Sequence, residues 1–212
     1  MLTSVQVFTL FWGAAWQDDM QLIRQLNAFF DDVVVSPLID QLTEYSVQAM
    51  SIGHGSRIGT ATIIDPAVPS SVGDADIQQL LRNELGSNPA VPRPRPDTLY
   101  FVYLPSGVTV SLDGGVSCSS FCGYHQDIDG QIFYAVMPYP DCAGCVGGLA
   151  VLDALTSTSS HELCEAITDT VPGTGWYDDS KGEIGDICSW QTKVVDGYTV
   201  QLEWSNSAGR CV

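Results

Sequence analysis

Apolar positions along the first hundred residues switch between two spacings. Val5 to Gly13 (VQVFTLFWG) is an almost unbroken apolar run of strand length, the pattern of a strand covered on both sides. Met20, Ile23, Leu26, Phe30 and Val33 then recur at helical spacing, with Asp18 or Asp19 placed to cap the helix. Ser36-Pro37 restarts a helix, serine at the cap and proline in the first turn, running to about Tyr45. VQAMSIGHGSRIGTATII reads as strand interrupted by glycines. GDADIQQLLRNELG predicts an amphipathic helix capped by Asp74, with Ile77, Leu80, Leu81 and Leu85 inward and Gly86 at its end.

NPAVPRPRPD holds too many prolines for a helix or central strand and is a surface loop. TLYFVYLP follows as a strand. FCGYHQDI and QIFYAVMP flank Asp129-Gly130, a dipeptide favoured in tight turns, so the segment predicts a hairpin. A helix from near Ala150 to about Thr168 comes next, then loop-rich sequence closed by YTVQLEWS. No repeat, low-complexity segment or linker forces a second domain. The order is mixed α/β (α+β), one domain over residues 1–212, with sheet and helices in 1–170 and a C-terminal lobe in 171–212.

Charge narrows the partners. Eight basic against 25 acidic residues give a net charge of −17. Nucleic acid and anionic membrane are excluded as partners, since phosphate neutralisation needs Lys and Arg. A divalent cation suits the balance, as does a plain solubilising role for the acids. No run of 18 apolar residues offers a membrane span.

Seven cysteines point to an oxidising compartment and a secreted protein. Three disulfides and one buried thiol is the simplest accounting; a zinc knuckle built from Cys118, Cys122, Cys142 and Cys145 is the rival. MLTSVQVFTLFWGAAW lacks a basic stretch before its apolar run and reads as core strand rather than signal peptide, so a mature chain with an added start Met is expected.

The chemistry concentrates in TSSHELCEAITD, residues 158–169. His161 and Glu165 are four apart and project from one helix face, as two ligands of one ion do, and Glu162 stands where a zinc peptidase keeps its general base. A carboxylate reaches zinc at about 2 Å much as histidine does. Replacing the second histidine of HExxH by Glu165 makes the site harder and more tolerant of other metals. A third ligand is needed. Asp169 lies about 12 Å along the helix from His161, too far to share its ion. Glu183 and Asp186 of GEIGD are nearer candidates, and Asp178 and Asp179 add acid close by.

The blocks VSCSSFCGYH, DCAGC, SSHELCEAITD, GWYDDSKGEIGDIC and YTVQLEWS, in this order over about residues 98 to 204, resemble the exordium family, also called phosphate-induced proteins. The resemblance implies a secreted protein of the kind typified by plant cell-wall growth regulators with microbial relatives. It implies a His-Glu-x-x-Glu helix, matched by His161, Glu162 and Glu165, and a downstream Glu-x-x-Asp-x-Cys, matched by Glu183, Asp186 and Cys188. Cys142 and Cys145 depart from it, with two intervening residues where the family has three, and Cys164 is no family feature and reads as packed. With the resemblance added, the element order matches a zincin-like mixed sheet carrying an HExxE active-site helix, with a loop-rich, disulfide-linked C-terminal lobe. An edge strand from the FCGYHQDI hairpin would bind extended peptide. His125 either points into that cleft or is structural. Tyr177 either stabilises an oxyanion or anchors the lobe beside Trp176.

Three functions follow as expectations. The first is a zinc metallopeptidase with Glu162 as base and His161, Glu165 and either Glu183 or Asp186 as ligands. The second is a non-catalytic, calcium-stabilised module whose acidic loop DDSKGEIGD is joined by Glu165 and Asp169. The third is a cell-wall protein on a degenerate scaffold, with aromatic side chains stacking on carbohydrate.

Overall fold

The computed structural model describes residues 1–212. In chain order the elements are β1 (Gln6–Trp12), α1 (Met20–Val33), α2 (Pro37–Leu42), β2 (Ser56–Ile63), β3 (Ser71–Gly73), α3 (Asp74–Ser87), β4 (Thr98–Tyr103), β5 (Thr109–Leu112), β6 (Gly115–Val116), β7 (Tyr124–Ile128) and β8 (Ile132–Met137). Then come α4 (Ala143–Val146), α5 (Val151–Thr168), β9 (Thr192–Val195), β10 (Tyr198–Gln201), β11 (Trp204–Ser205) and β12 (Arg210–Cys211). The fold is mixed α/β around one five-stranded mixed sheet in the order β2-β1-β4-β8-β7. The first four strands run parallel, and β7 is an antiparallel edge strand.

Parallel strands are covered on both faces, which is why β1, β4 and β8 read as unbroken apolar runs rather than alternating ones. The period of two still divides their side chains. Phe11, Leu99, Phe101, Tyr103, Ala135 and Met137 pack against α1, α2 and α5. Phe8, Leu10, Tyr100, Val102, Tyr134 and Val136 pack against α3. Asp19 caps α1, accepting the Leu22 N–H, and Ser36 caps α2 with Pro37 behind it. The segment after α2 forms strand only over β2, the glycines before it leaving the rest as loop.

Two helix-end expectations are corrected. Gly73, not Asp74, occupies the cap of α3, and its N–H donates to Asp76. The Asp74 carboxylate is taken instead by the hydroxyls of Tyr124 and Tyr134, each at 2.8 Å, and by Gln78. Two phenols from the sheet outcompete the local backbone, and α3 runs through Gly86 to Ser87. The hairpin turn forms as the sequence implies, with Asp129 and Gly130 at φ 56° and 66°.

The cysteines form three disulfides, Cys118–Cys142, Cys122–Cys145 and Cys188–Cys211, and Cys164 is a buried free thiol. This overturns the zinc knuckle, since all four of its sulfurs are spent in two disulfides. These two tie α4 to the loop entering β7, and the third closes the C-terminal segment. No helix is long and apolar enough to cross a membrane.

TSTSS is poor helix-forming sequence, yet it is the middle of α5. Its hydroxyls are used in tertiary bonds: Ser159 with the Tyr103 hydroxyl at 2.7 Å, Ser160 accepting the Gln201 N–H at 2.9 Å, and Thr156 donating to the Thr199 carbonyl at 2.8 Å. Packing overrides propensity. The helix is thereby held between the sheet and the β9–β10 hairpin, its HExxE turns facing β7 and the loop before β9.

Candidate metal centre

One cluster collects most of the chemistry-bearing residues singled out in the sequence. His161, Glu162 and Glu165 come from α5, His125 from β7, and Glu183 and Asp186 from the loop after the helix. His161 Nε2 is 3.1 Å from Glu165 Oε2 and 3.9 Å from Glu162 Oε1. His125 Nδ1 is 3.6 Å from Glu162 Oε2 and 3.7 Å from Glu165 Oε2. Two overlapping sets each bring three donor atoms within 4.8 Å of one another: His161, Glu165 and Asp186, and His125, Glu162 and Glu165. Such spacings suit atoms about 2 Å from a shared ion.

Close backbone approach makes this possible. A Cβ on Gly185 would stand 2.6 Å from His161 Nδ1, and one on Gly123 would stand 2.9 Å from Glu162 Oε1. Only glycine lets the 183–186 loop and the start of β7 close on the helix face. The Asp186 N–H then donates to Glu165 Oε1 at 3.1 Å. A cleft of about 630 Å³ opens from His161 and Glu162 past the disulfide loop, with Phe121 and Trp190 among its walls.

The two histidines are held differently. His125 Nε2 lies 3.1 Å from the Asp169 carbonyl. A carbonyl only accepts, so Nε2 carries a proton, and Nδ1 faces Glu162 and Glu165, holding a second proton while the ring is charged. For His161, the Gln201 amide nitrogen bridges Nδ1 at 2.7 Å and the Gly185 carbonyl at 2.9 Å. A neutral His161 in that placement carries its proton on Nε2, facing Glu165. To hold an ion through Nε2, the proton moves to Nδ1 and Gln201 turns its amide oxygen inward, giving up Gly185.

Electrostatics follow from the buried Glu162 and Glu165, the half-buried Glu183 and the more open Asp186 lying close together. Burial opposes the charged form of His125, but Glu162, Glu183 and Glu165 outweigh it and push its pKa up to about 9. Burial likewise opposes charge on His161, and Glu165 and Glu162 hold it well above the ordinary value. Burial raises Glu162 despite its two histidines. Burial also works to raise Glu165, yet His161, His125 and the Asp186 N–H prevail and keep it below the usual range. Burial, followed by repulsion from Glu165, lifts Glu183 to about 8, and both also raise Asp186.

The ion-free protein therefore loses stability with rising pH. His125 titrates near 9 folded against 6.5 ordinarily, so its contribution is full below pH 6.5 and gone once pH passes about 9. Glu183 at about 8 against 4.5 has the same sign, because the folded chain keeps a proton that the unfolded chain has released. Thermal melts in chelator should show Tm falling between pH 6 and 9. Excess zinc should flatten that fall, because the ion takes the protons' place. A chelated protein with a pH-independent Tm in this window would refute the cluster's protonation.

Other residues named from the sequence lie elsewhere. Asp169 ends α5, and its carboxylate accepts the N–H groups of Gly173 at 2.6 Å, Thr174 at 3.0 Å and Gly175. Asp178 is bound to Ser180, and neither it nor Asp179 joins a ligand-like group, so the acidic loop does not wrap one centre. Tyr177 is 53% exposed, while Trp176 packs on Tyr45. Sequence reasoning missed Gln201 and Glu203. The Glu203 carboxylate is buried with neither oxygen hydrogen-bonded, and burial pushes it well above the usual range. Both sit in YTVQLEWS, whose strand-like pattern gives no sign that its polar positions face inward.

No family model, curated protein or solved structure matches the chain.

Proposed function

We propose that the protein is a secreted metal-dependent hydrolase with a zincin-like HExxE helix, acting on peptide bonds. The observation that carries the reading is the convergence of His161, Glu165 and Asp186 at a cleft into which Glu162, the next residue on the helix, also opens. The donor set fits a zinc-class ion: one imidazole and two carboxylates leave a coordination position free on the cleft side. Glu183 Oε1 is buried nearby without a hydrogen bond, 3.6 Å from His125 Nε2. Bound there, the ion would supply Lewis-acid polarisation of the scissile carbonyl.

The chain's own residues supply the rest. Glu162 takes the proton from the attacking water and returns it to the leaving amine. Gln201 orients His161. The free edge of β7 offers backbone groups to an extended peptide, aligning its carbonyl along the cleft. With Glu162 and Asp186 and no Lys or Arg among its walls, the cleft favours neutral or basic peptides over acidic ones. The three disulfides and the resemblance of five blocks to the exordium family support an extracellular setting.

The test is elemental analysis of protein purified without added metal or chelator, beside His161→Ala, followed by a peptide-library screen. Bound zinc reduced in the variant, with cleavage abolished by chelator and restored by zinc, is expected. Cleavage that survives complete metal removal would sink the reading. Calcium alone, unchanged by His161→Ala, would do the same and favour a structural ion.

A further inference from the structure

The centre just proposed uses His161, Glu165 and Asp186, and leaves a second histidine unexplained. His125 is 6% exposed and stands among three carboxylates. We propose a second divalent-cation site formed by His125 Nδ1, Glu162 Oε2 and Glu165 Oε2, with Glu165 shared between two ions. The inference goes beyond the hydrolase reading, which needs one ion only.

Three observations carry it. The first is the tautomer. The Asp169 carbonyl already accepts from His125 Nε2, so loss of the Nδ1 proton alone leaves a lone pair aimed towards Glu162 and Glu165, with no change of partners. Such a backbone bond to the far nitrogen is how metal-ligating histidines are commonly oriented. His161, in contrast, must first exchange its Gln201 partner.

The second is charge. Glu162, Glu165 and Glu183 gather with the more open Asp186 around the two histidines, Glu203 is buried beside them, and both Arg ion pairs lie elsewhere, Arg57–Asp31 and Arg82–Asp129. A histidine that ligates an ion gives up its second proton, so wherever His125 and His161 ligate, the ions themselves must balance the carboxylates around them. Uncompensated charge out of water is expensive.

The third is the sharing itself. Glu165 belongs to both three-donor sets, and its Oε2 is 3.1 Å from His161 and 3.7 Å from His125. A carboxylate between two ions is the usual bridge where metals sit about 3.5–4 Å apart. Glu162 then has two distinct oxygens, with Oε2 on the second ion and Oε1 facing the cleft to move the proton. Glu183 Oε1, without a hydrogen bond, lies 3.6 Å from the other ring nitrogen, His125 Nε2, and stays outside the three-donor set.

The experiment counts ions. Chelator-treated protein is titrated with zinc alone and assayed by elemental analysis after desalting, for the full chain, His125→Ala and Asp186→Asn. Two zinc per chain are expected, falling to about one in each variant. One zinc, lost in Asp186→Asn and untouched in His125→Ala, would overturn the second site and leave the hydrolase reading standing. One zinc, lost in His125→Ala and untouched in Asp186→Asn, would keep the His125 site and remove the proposed catalytic centre. No bound zinc overturns both. Because His125→Ala opens a buried space, unsubstituted protein is also reconstituted with manganese. Spin-coupled ion pairs in its electron paramagnetic resonance spectrum are expected, and isolated single ions alone would count against the site.

Discussion

Glu162→Gln is expected to lower peptide hydrolysis about 10²–10⁴-fold while the chain folds as before. Glutamine keeps the shape of the side chain but cannot take a proton. Glu162 is 3% exposed and lines the cleft, with Gly123 packed closely against its Oε1. Burial raises its proton affinity, making it a stronger base than a solvated glutamate, while the two histidines keep the anion accessible. The loss should fall on kcat, with KM little changed, because the carboxylate acts on the water rather than on peptide binding. Tm in chelator should hold or rise, since one of four crowded acids is neutralised. The ion held by His161, Glu165 and Asp186 should remain, and the His125 ion should leave with the lost oxygen. Turnover equal to the unsubstituted protein would remove Glu162 from the mechanism, whatever the metal content.

What could be read from the chain depended on how local its cause was. The bounds of α5 and the pairing of His161 with Glu165 rest on helical periodicity within one element, and they were legible. So was the β7–β8 hairpin, whose turn chemistry lies in two adjacent residues. The direction of the strands was not: a run such as VFTLFW says that both faces are covered, but not that its neighbours run parallel. The centre was legible only in part, because its second half is long-range. His125 reaches the α5 carboxylates through a sheet edge, and Gln201 reaches His161 from a strand 40 residues on. Nor does spacing say which oxygen of Glu183 or Asp186 points inward, since the Asp186 N–H bonded to Glu165 sets the loop's approach. Asp74 shows the same limit at a cap, where two tyrosines distant in sequence claimed a side chain that local rules gave to the helix.

Asp169 illustrates how a carboxylate beside a metal-like cluster can serve the fold instead, and Asp169→Ala should cost about 3–5 kcal/mol. The side chain is fully buried, and its two oxygens take three successive N–H groups of the 173–175 turn. Bonds to a charged acceptor are worth about 1.5–3 kcal/mol each, and alanine leaves all three donors to find water. For a chain of this size that corresponds to a Tm lower by roughly 6–20 °C. The turn also carries the Asp169 carbonyl that orients His125, so His125-dependent metal affinity should weaken as a secondary effect. The decisive comparison is made in chelator. A turn-organising Asp169 destabilises its variant fully without any ion present, whereas a ligand would lose stability only in zinc or calcium. An Asp169→Ala Tm deficit that disappears in chelator would return Asp169 to the list of ligands.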